Sequence, residues 1–176
     1  DADAPHKAPV VIVPETSQTL AGASMVGNRI ILAYMSDAQS LASLIDLNGN
    51  VIGEVPLPGI GTAAGFAGKA DDPETFFHFS SFTSPGTIYR YDTATGAVEM
   101  FAQPRLAFDP EDYSTEQIFY PSKDGTKVPM FIVRRKDLVQ SGKTAPTLLY
   151  GYGGFNISIM PGFSAAKLAW LEQGGA

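Results

Sequence analysis

The chain has 176 residues, of which 44% are hydrophobic and 17% are charged, a composition typical of one globular domain or of parts of two. Its formal net charge of −6 argues against a nucleic acid or an anionic membrane as a partner. The sequence has no cysteine, which excludes disulfides, thiol catalysis and cysteine-based zinc sites, and its two histidines, His6 and His78, are too far apart in sequence to suggest a metal site.

The N-terminal half of the chain is predicted to consist of short strands separated by turns. The dipeptide Asn-Gly within 48–50 favours a hairpin between two of these strands. In "TIYRYD", alternation places Ile88 and Arg90 on one face of the strand and Tyr89 and Tyr91 on the other. The predicted strands are 29–35, 43–47, 51–57, 62–68, 75–82, 87–92 and 97–103.

A weak internal repeat runs through these strands. Residues 43–58 resemble residues 87–104, since each has a strand, an aspartate, a turn, a second strand and a proline. The two aspartates, Asp46 and Asp92, are 46 positions apart, and a repeat of about 40 to 50 residues with several strands is typical of β-propeller blades. A β-sandwich also has strands at this spacing, so the pattern favours the propeller only slightly.

The composition changes after this β-rich region. Residues 103–117 contain prolines and several acidic residues and are predicted to be a linker or crossover, and 118–135 are predicted to be two strands around a turn at 122–126. A polar loop at 136–146 and a buried strand that ends in glycines at 147–154 are expected next. A helix is predicted within 164–175, with Ser164 as its N-cap and Gly174 as its stop. This order of strand, loop and helix indicates a change of fold class.

The glycine-rich stretch "LLYGYGGF" is the best candidate for a functional site. No G-x-S-x-G motif or Walker lysine is present, and His78 lies in an aromatic strand, where a structural role is expected. The glycines let the backbone turn sharply at the end of a strand, where ligands bind in open α/β sheets. A tyrosine hydroxyl has a pKa of about 10, so at neutral pH it can donate a hydrogen bond to a developing oxyanion. The alternative is that Tyr150 and Tyr152 only pack as aromatic side chains.

Two segments closely resemble the prolyl oligopeptidase family of serine peptidases: "FYPSKDGTKVPMFIV" at 119–133 and "LLYGYGGFNISIMPGFS" at 148–164. Residues 54–92 also resemble the last blades of that family's β-propeller. The form "GGFN" favours the prolyl-specific branch over the related oligopeptidase B enzymes. The resemblance implies an α/β-hydrolase domain capped by a propeller, hydrolysis on the carboxyl side of proline by a Ser-His-Asp triad, and no metal or organic cofactor.

This resemblance implies a mixed fold in which terminal β-propeller blades precede the first strands and helix of an α/β-hydrolase domain. We expect about the last two blades in 1–103, the linker or crossover in 104–117 and the start of the peptidase domain in 118–176. By position, Tyr152 matches the family's oxyanion-hole tyrosine and Tyr150 the strand residue before the turn. Phe155 matches the aromatic lining of the proline pocket, and the structural turn is formed by Gly151, Gly153 and Gly154.

The family's serine, aspartate and histidine would all lie beyond residue 176, so we expect the chain to be an internal segment. Its expected partners are short proline-containing peptides and the remainder of the same polypeptide, with neither nucleic acid nor membrane. The resemblance implies a cytoplasmic location, with the periplasm as the alternative. Two other functions stay open: a non-catalytic β-propeller module that binds peptides or proteins, and a related oligopeptidase of different specificity.

Overall fold

The computed structural model describes residues 6–176, so the first five residues of the predicted propeller region lie outside it. The described residues form ten β-strands, two α-helices and one short 3-10 helix. None of these helices has the length and apolar character that crossing a bilayer requires. The elements are β1 Thr19–Val26, β2 Arg29–Ser36, β3 Gln39–Ile45, β4 Val51–Glu54, β5 Thr62–Ala67, β6 Glu74–Ser80, β7 Thr87–Asp92, β8 Val98–Ala102, the 3-10 helix Pro110–Asp112, β9 Tyr113–Pro121, β10 Lys127–Arg135, α1 Lys136–Ser141 and α2 Ala165–Glu172.

The first eight strands form two four-stranded antiparallel sheets of the same topology. Within each sheet the strands lie in sequence order, β1-β2-β3-β4 in the first and β5-β6-β7-β8 in the second. Each sheet is therefore complete in one stretch of chain, as propeller blades are, whereas a Greek-key sandwich exchanges strands between its sheets. The predicted repeat is confirmed, because its two copies form the third and fourth strands of the two sheets.

Equivalent hairpin turns mark the repeat in both sheets. In the first sheet, the Oδ1 atom of Asp46 accepts hydrogen bonds from the backbone N–H groups of Asn48 and Asn50, both at 2.8 Å. In the second sheet, Oδ1 of Asp92 accepts from the backbone N–H groups of Ala94 and Thr95 at 2.9 and 2.7 Å. Hydrogen bonds to the charged form lower the pKa of both carboxyl groups: the largest effect on Asp46 comes from the Asn50 side-chain amide, which donates to Oδ2 at 2.8 Å, and the largest on Asp92 from the Thr95 backbone N–H.

The two sheets share one aromatic core. Phe77 in β6 is 1% exposed, and its ring stacks on Phe66 and Tyr89 with centroid distances of 4.8 and 5.4 Å. Tyr91 is also buried, whereas Arg90 pairs with Glu74 at the surface, so the predicted alternation in β7 is confirmed. The other buried members of this core are Ile31, Ala42, Leu44, Val55 and Phe79.

One strand was not predicted from the sequence. Residues Thr19–Val26, "TLAGASMV", contain two alanines and a glycine, which are depleted in strands, yet they form β1. The strand exists because β2, which is rich in β-branched and aromatic residues, pairs with it along its length from Val26↔Arg29 to Thr19↔Met35. Pairing with a neighbour here overrides the local preference of the chain.

The C-terminal region begins with the predicted hairpin. Strand β9 begins at Tyr113, inside the stretch 104–117 that the sequence predicts as a crossover, because Tyr113 pairs with Arg135 of β10. The turn at 122–126 is confirmed by the hydrogen bond from Ser122 N–H to the Thr126 carbonyl at 2.8 Å.

Helix α1 corrects a prediction and helix α2 confirms one. The expected loop at 136–146 was wrong in its first half: these residues form α1, which ends where Gly142 adopts a left-handed φ of +63°. Helix α2 begins as predicted, with Ser164 Oγ accepting from the Lys167 N–H at 3.5 Å. Gly174 has a φ of +84° just beyond its end.

Candidate functional site

The segment 147–154, predicted as a buried strand, is neither a strand nor buried in this structure. Leu149 is 81% exposed and Tyr150 is 62% exposed. Two backbone hydrogen bonds hold it, from Leu148 N–H to the Ala176 carbonyl and from Ala176 N–H to the Pro146 carbonyl, both 2.9 Å. In this pattern one residue, Ala176, bonds through its N–H and its carbonyl to two residues that flank position 147, as in a pair of parallel strands. The prediction was wrong because a buried parallel strand needs neighbours along its whole length, and among the described residues only Ala176 pairs with it.

The predicted sharp turn follows directly. Ile157 N–H donates to the Gly154 carbonyl at 3.1 Å, and the two residues between them, Phe155 and Asn156, have φ values of +52° and +55°. Two left-handed central residues are the mark of a type I′ turn. A bulky side chain at such a φ costs energy, and strain of this kind concentrates at functional sites. Of the three predicted turn glycines, Gly153 alone has a left-handed φ, +65°.

The two predicted site residues are three positions apart: Phe155 is a central residue of this turn and Tyr152 precedes it. Phe155 is 89% exposed and lines a shallow groove of about 240 Å³ formed by residues 153–158. Tyr152 is 50% exposed, and its ring lies against Gly154, where an added Cβ would be 3.6 Å from Cε1. Its hydroxyl has no hydrogen-bond partner among residues 6–176, so it is available to donate to a ligand.

The segment after the turn is bonded to the second sheet, which sequence reasoning did not predict. Thr62 Oγ1 donates to the Pro161 carbonyl at 2.7 Å, and Phe163 N–H donates to Ser80 Oγ at 3.3 Å. The ring of Phe163 stacks on Phe108 with the centroids 5.8 Å apart. Thr62 and Ser80 are about 80 to 100 positions away in the chain, so no local pattern could have identified them.

Helix α2 is tied to the hairpin by a polar cluster. The Tyr113 hydroxyl donates to Glu172 Oε1, and Arg135 Nη1 lies 3.7 Å from Glu172 Oε2. The same guanidinium donates through Nε to Asp137 Oδ1 at 3.1 Å, and this hydrogen bond holds the pKa of Asp137 below its usual value. The cluster fixes the helix that follows the turn against β9 and β10.

His78 takes no role in this site. It is exposed on β6, where its imidazole packs so closely on Gly86 that a Cβ there would be 1.7 Å from Nε2. This position agrees with the structural role predicted for it. Across residues 6–176, no three His, Asp or Glu side chains converge as metal ligands.

Comparison with known proteins identifies similar chains over both regions of the structure. Residues 1–104 match the family model described as prolyl oligopeptidase, N-terminal beta-propeller domain. The chain is 41% identical over 164 residues to a prolyl endopeptidase of Elizabethkingia meningoseptica, which is 93% of this chain and 23% of that protein. It is 42% identical over 118 residues to the dual function macrocyclase-peptidase POPB of Galerina marginata, which is 65% of this chain and 16% of that protein.

Solved structures agree with these sequence matches. A chain from a structural and mechanistic analysis of two prolyl endopeptidases has a TM-score of 0.81 and 45% identity over 93% of this chain and 24% of its own. Prolyl oligopeptidase B from Galerina marginata, bound to a 25mer macrocyclization substrate, has a TM-score of 0.78 and 32% identity over 92% of this chain and 23% of its own. The chain thus spans about a quarter of the length of these relatives.

Proposed function

Since the chain belongs to the prolyl oligopeptidase family, we propose that it is a segment of a serine peptidase that hydrolyses short peptides on the carboxyl side of proline. The observation that carries this proposal is the extent of the similarity. An alignment of 164 residues cannot fit within 1–104, so the likeness to a prolyl endopeptidase continues beyond the propeller region into the region of the turn.

We propose the same division of the chain that the sequence predicts: propeller blades in 1–103, a crossover in 104–117 and the start of an α/β-hydrolase domain in 118–176. The backbone bonds between 146–148 and Ala176 support the hydrolase assignment. A segment that leads through a turn and helix α2 into a parallel neighbour is the arrangement of a βαβ unit. Turns at the carboxyl end of such strands are where α/β-hydrolases hold oxyanion donors.

In this proposal Tyr152 is the catalytic residue that the chain contributes. When a serine hydroxyl attacks the scissile carbonyl, the carbonyl oxygen gains negative charge as the tetrahedral intermediate forms. The Tyr152 hydroxyl would donate a hydrogen bond to that oxygen. The serine, the histidine that takes its proton and the aspartate that orients the histidine would come from the remainder of the polypeptide.

Phe155 would form one wall of the pocket that receives proline. The proline ring offers only hydrocarbon faces and has no N–H donor, so a flat aromatic surface suits it. Phe155 has the exposure that such a contact needs, and it lies on the groove formed by residues 153–158, which directly follow Tyr152 in the chain. Peptide partners are further supported by the relative solved with a bound substrate peptide.

The experiment is the substitution Tyr152→Phe in the complete enzyme, assayed on a short peptide with a chromogenic amide after proline. Loss of one oxyanion donor is expected to lower kcat about 100-fold or more with little change in KM. Tyr150→Phe is the matched control, because it removes a neighbouring hydroxyl and keeps the ring. Equal kcat for Tyr152→Phe and the unchanged enzyme would overturn the role of Tyr152.

The same assay separates the proposal from its alternatives. Binding of proline peptides without turnover by the unchanged protein would indicate the non-catalytic propeller module, and faster cleavage after another residue would indicate the related oligopeptidase. We also propose a cytoplasmic location, and recovery of the protein in the periplasmic fraction of cells would contradict it.

A further inference from the structure

The turn at 151–157 is held to one end of the second sheet through the segment that follows it. Thr62 begins β5 and Ser80 ends β6, and the two residues are direct partners in the β5–β6 ladder. Their hydroxyl groups therefore lie side by side at the same end of the sheet. One donates to the Pro161 carbonyl and the other accepts from the Phe163 N–H, so both bond the main chain of residues 161–163.

The two hydroxyl groups are used in complementary ways. Ser80 Oγ donates its proton to the Ser84 carbonyl at 3.3 Å, which leaves its lone pairs to accept from Phe163. Pro161 is fully buried, and as a proline it has a carbonyl but no N–H. Because a buried carbonyl without a partner is costly, the bond from Thr62 fixes where this segment can sit.

The segment before the turn is held at the same end of the sheet. Lys167 Nζ lies 5.6 Å from the centre of the Tyr150 ring and 5.9 Å from the centre of the Phe82 ring, within the range of cation–π attraction. Phe82 follows Ser80 by two residues in the loop after β6. The flank after the turn is thus bonded to the beginning of β5 and the end of β6, and the flank before it contacts the loop after β6 through Lys167.

We propose that Thr62 and Ser80 are positioning residues that fix the position of the Tyr152 hydroxyl relative to the second sheet. This inference rests on the proposed function, because it assigns to the sheet a role in the reaction that Tyr152 performs. A displacement of about 1 Å in a catalytic group can cost on the order of 100-fold in rate. The hydroxyl groups of Thr62 and Ser80 on the second sheet would therefore affect the rate of peptide hydrolysis without contacting the substrate.

The chain supplies its own matched controls. Thr19 is the first residue of β1 and Ser36 the last residue of β2, as Thr62 and Ser80 are of β5 and β6, although Thr19 pairs with Met35 rather than with Ser36. Within residues 6–176, neither control side chain bonds to residues 155–164. Substitution of Thr19 and Ser36 removes the same groups from a blade without releasing the turn.

The experiment compares Thr62→Val and Ser80→Ala with Thr19→Val and Ser36→Ala in the complete enzyme. We expect the first pair to lower kcat about 10-fold with KM within about twofold, and the controls to leave both unchanged. Thr62→Ser keeps the donor and is expected to restore kcat. Hydrogen exchange of peptides that cover 150–164 is expected to accelerate in the first pair only, and this readout does not depend on activity.

A double-mutant cycle with Tyr152→Phe decides whether the two hydroxyl groups act through Tyr152. If they do, Thr62→Val has little further effect once the Tyr152 hydroxyl is gone. Multiplicative losses, or kcat and exchange rates equal to those of the controls, would overturn the inference. If the unchanged enzyme fails to cleave after proline, both the proposed function and the catalytic role in this inference are wrong. Accelerated hydrogen exchange of 150–164 in Thr62→Val and Ser80→Ala would still demonstrate that these hydroxyl groups hold the segment.

Discussion

Replacement of Phe77 by alanine tests the shared core of the two sheets. Phe77 is 1% exposed and stacks on aromatic rings at 4.8 and 5.4 Å, so its removal loses the full transfer free energy and leaves a cavity. Burial of such a side chain contributes about 1.5–3 kcal/mol, and the cavity brings the expected loss to about 3–5 kcal/mol. Phe76 is the matched control: it is the preceding residue, 36% exposed on the opposite face, and its ring meets that of Phe101 edge-on at 5.0 Å. Its replacement by alanine is expected to cost about 1 kcal/mol.

Urea unfolding followed by far-UV circular dichroism measures the difference between these two variants. With an m-value of about 2 kcal/mol/M, a loss of about 3 kcal/mol lowers the midpoint by about 1.5 M for Phe77→Ala, against about 0.5 M for Phe76→Ala. Since adjacent strand residues point to opposite faces, the comparison also tests the register of β6. Equal midpoints for the two variants would refute the reasoning, because they would mean that Phe77 is no more buried than Phe76.

Two further predictions concern an acidic turn and the proposed pocket. Hydrogen bonds from Thr95 and Ala94 lower the pKa of Asp92 in the folded state. The Asp92 carboxylate therefore stabilises the fold at pH values above its unfolded pKa of about 3.9. This stabilisation is lost as the pH falls through the lower pKa of the folded state. Asp92→Asn is therefore expected to flatten the fall in thermal stability below about pH 4, which melting curves at several pH values measure. Phe155→Ala is expected to raise KM for proline peptides about 10-fold while the melting temperature stays unchanged, because this side chain is 89% exposed. Phe155→Leu, which keeps an apolar wall, is the control. Equal KM values for the unchanged enzyme, Phe155→Ala and Phe155→Leu in steady-state kinetics would contradict the pocket role.

The two sheets could be predicted from the sequence because their pairing is local. Each strand pairs with the next one along the chain, so alternation and turn residues such as Asp46 and Asp92 contain most of the necessary information. Strand β1 is the exception, since its small residues form a strand only because β2 pairs with them. The hydroxyl pair of Thr62 and Ser80 could not be predicted, because its partners depend on how the C-terminal segment folds back onto the second sheet.

The apolar run around the turn shows most clearly what a sequence pattern can and cannot predict. The hydrophobicity of "TLLY" predicts burial, yet Leu149 and Phe155 are the most exposed of the large side chains between 147 and 157. Burial is a property of a residue together with its neighbours, and the contacts that the described residues make with this run include the bond pair with Ala176 and the Lys167 ammonium over the Tyr150 ring, which leave most of its apolar surface exposed. At about 25 cal/mol per Å² of apolar area, covering this face would stabilise the fold by several kcal/mol. The proposed α/β-hydrolase domain requires such a face, because its strands are buried on both sides by the elements that pack on the sheet. The prediction of burial is thus wrong for the residues that the structure describes, and in the proposed function the remainder of the peptidase is the partner that would bury this surface.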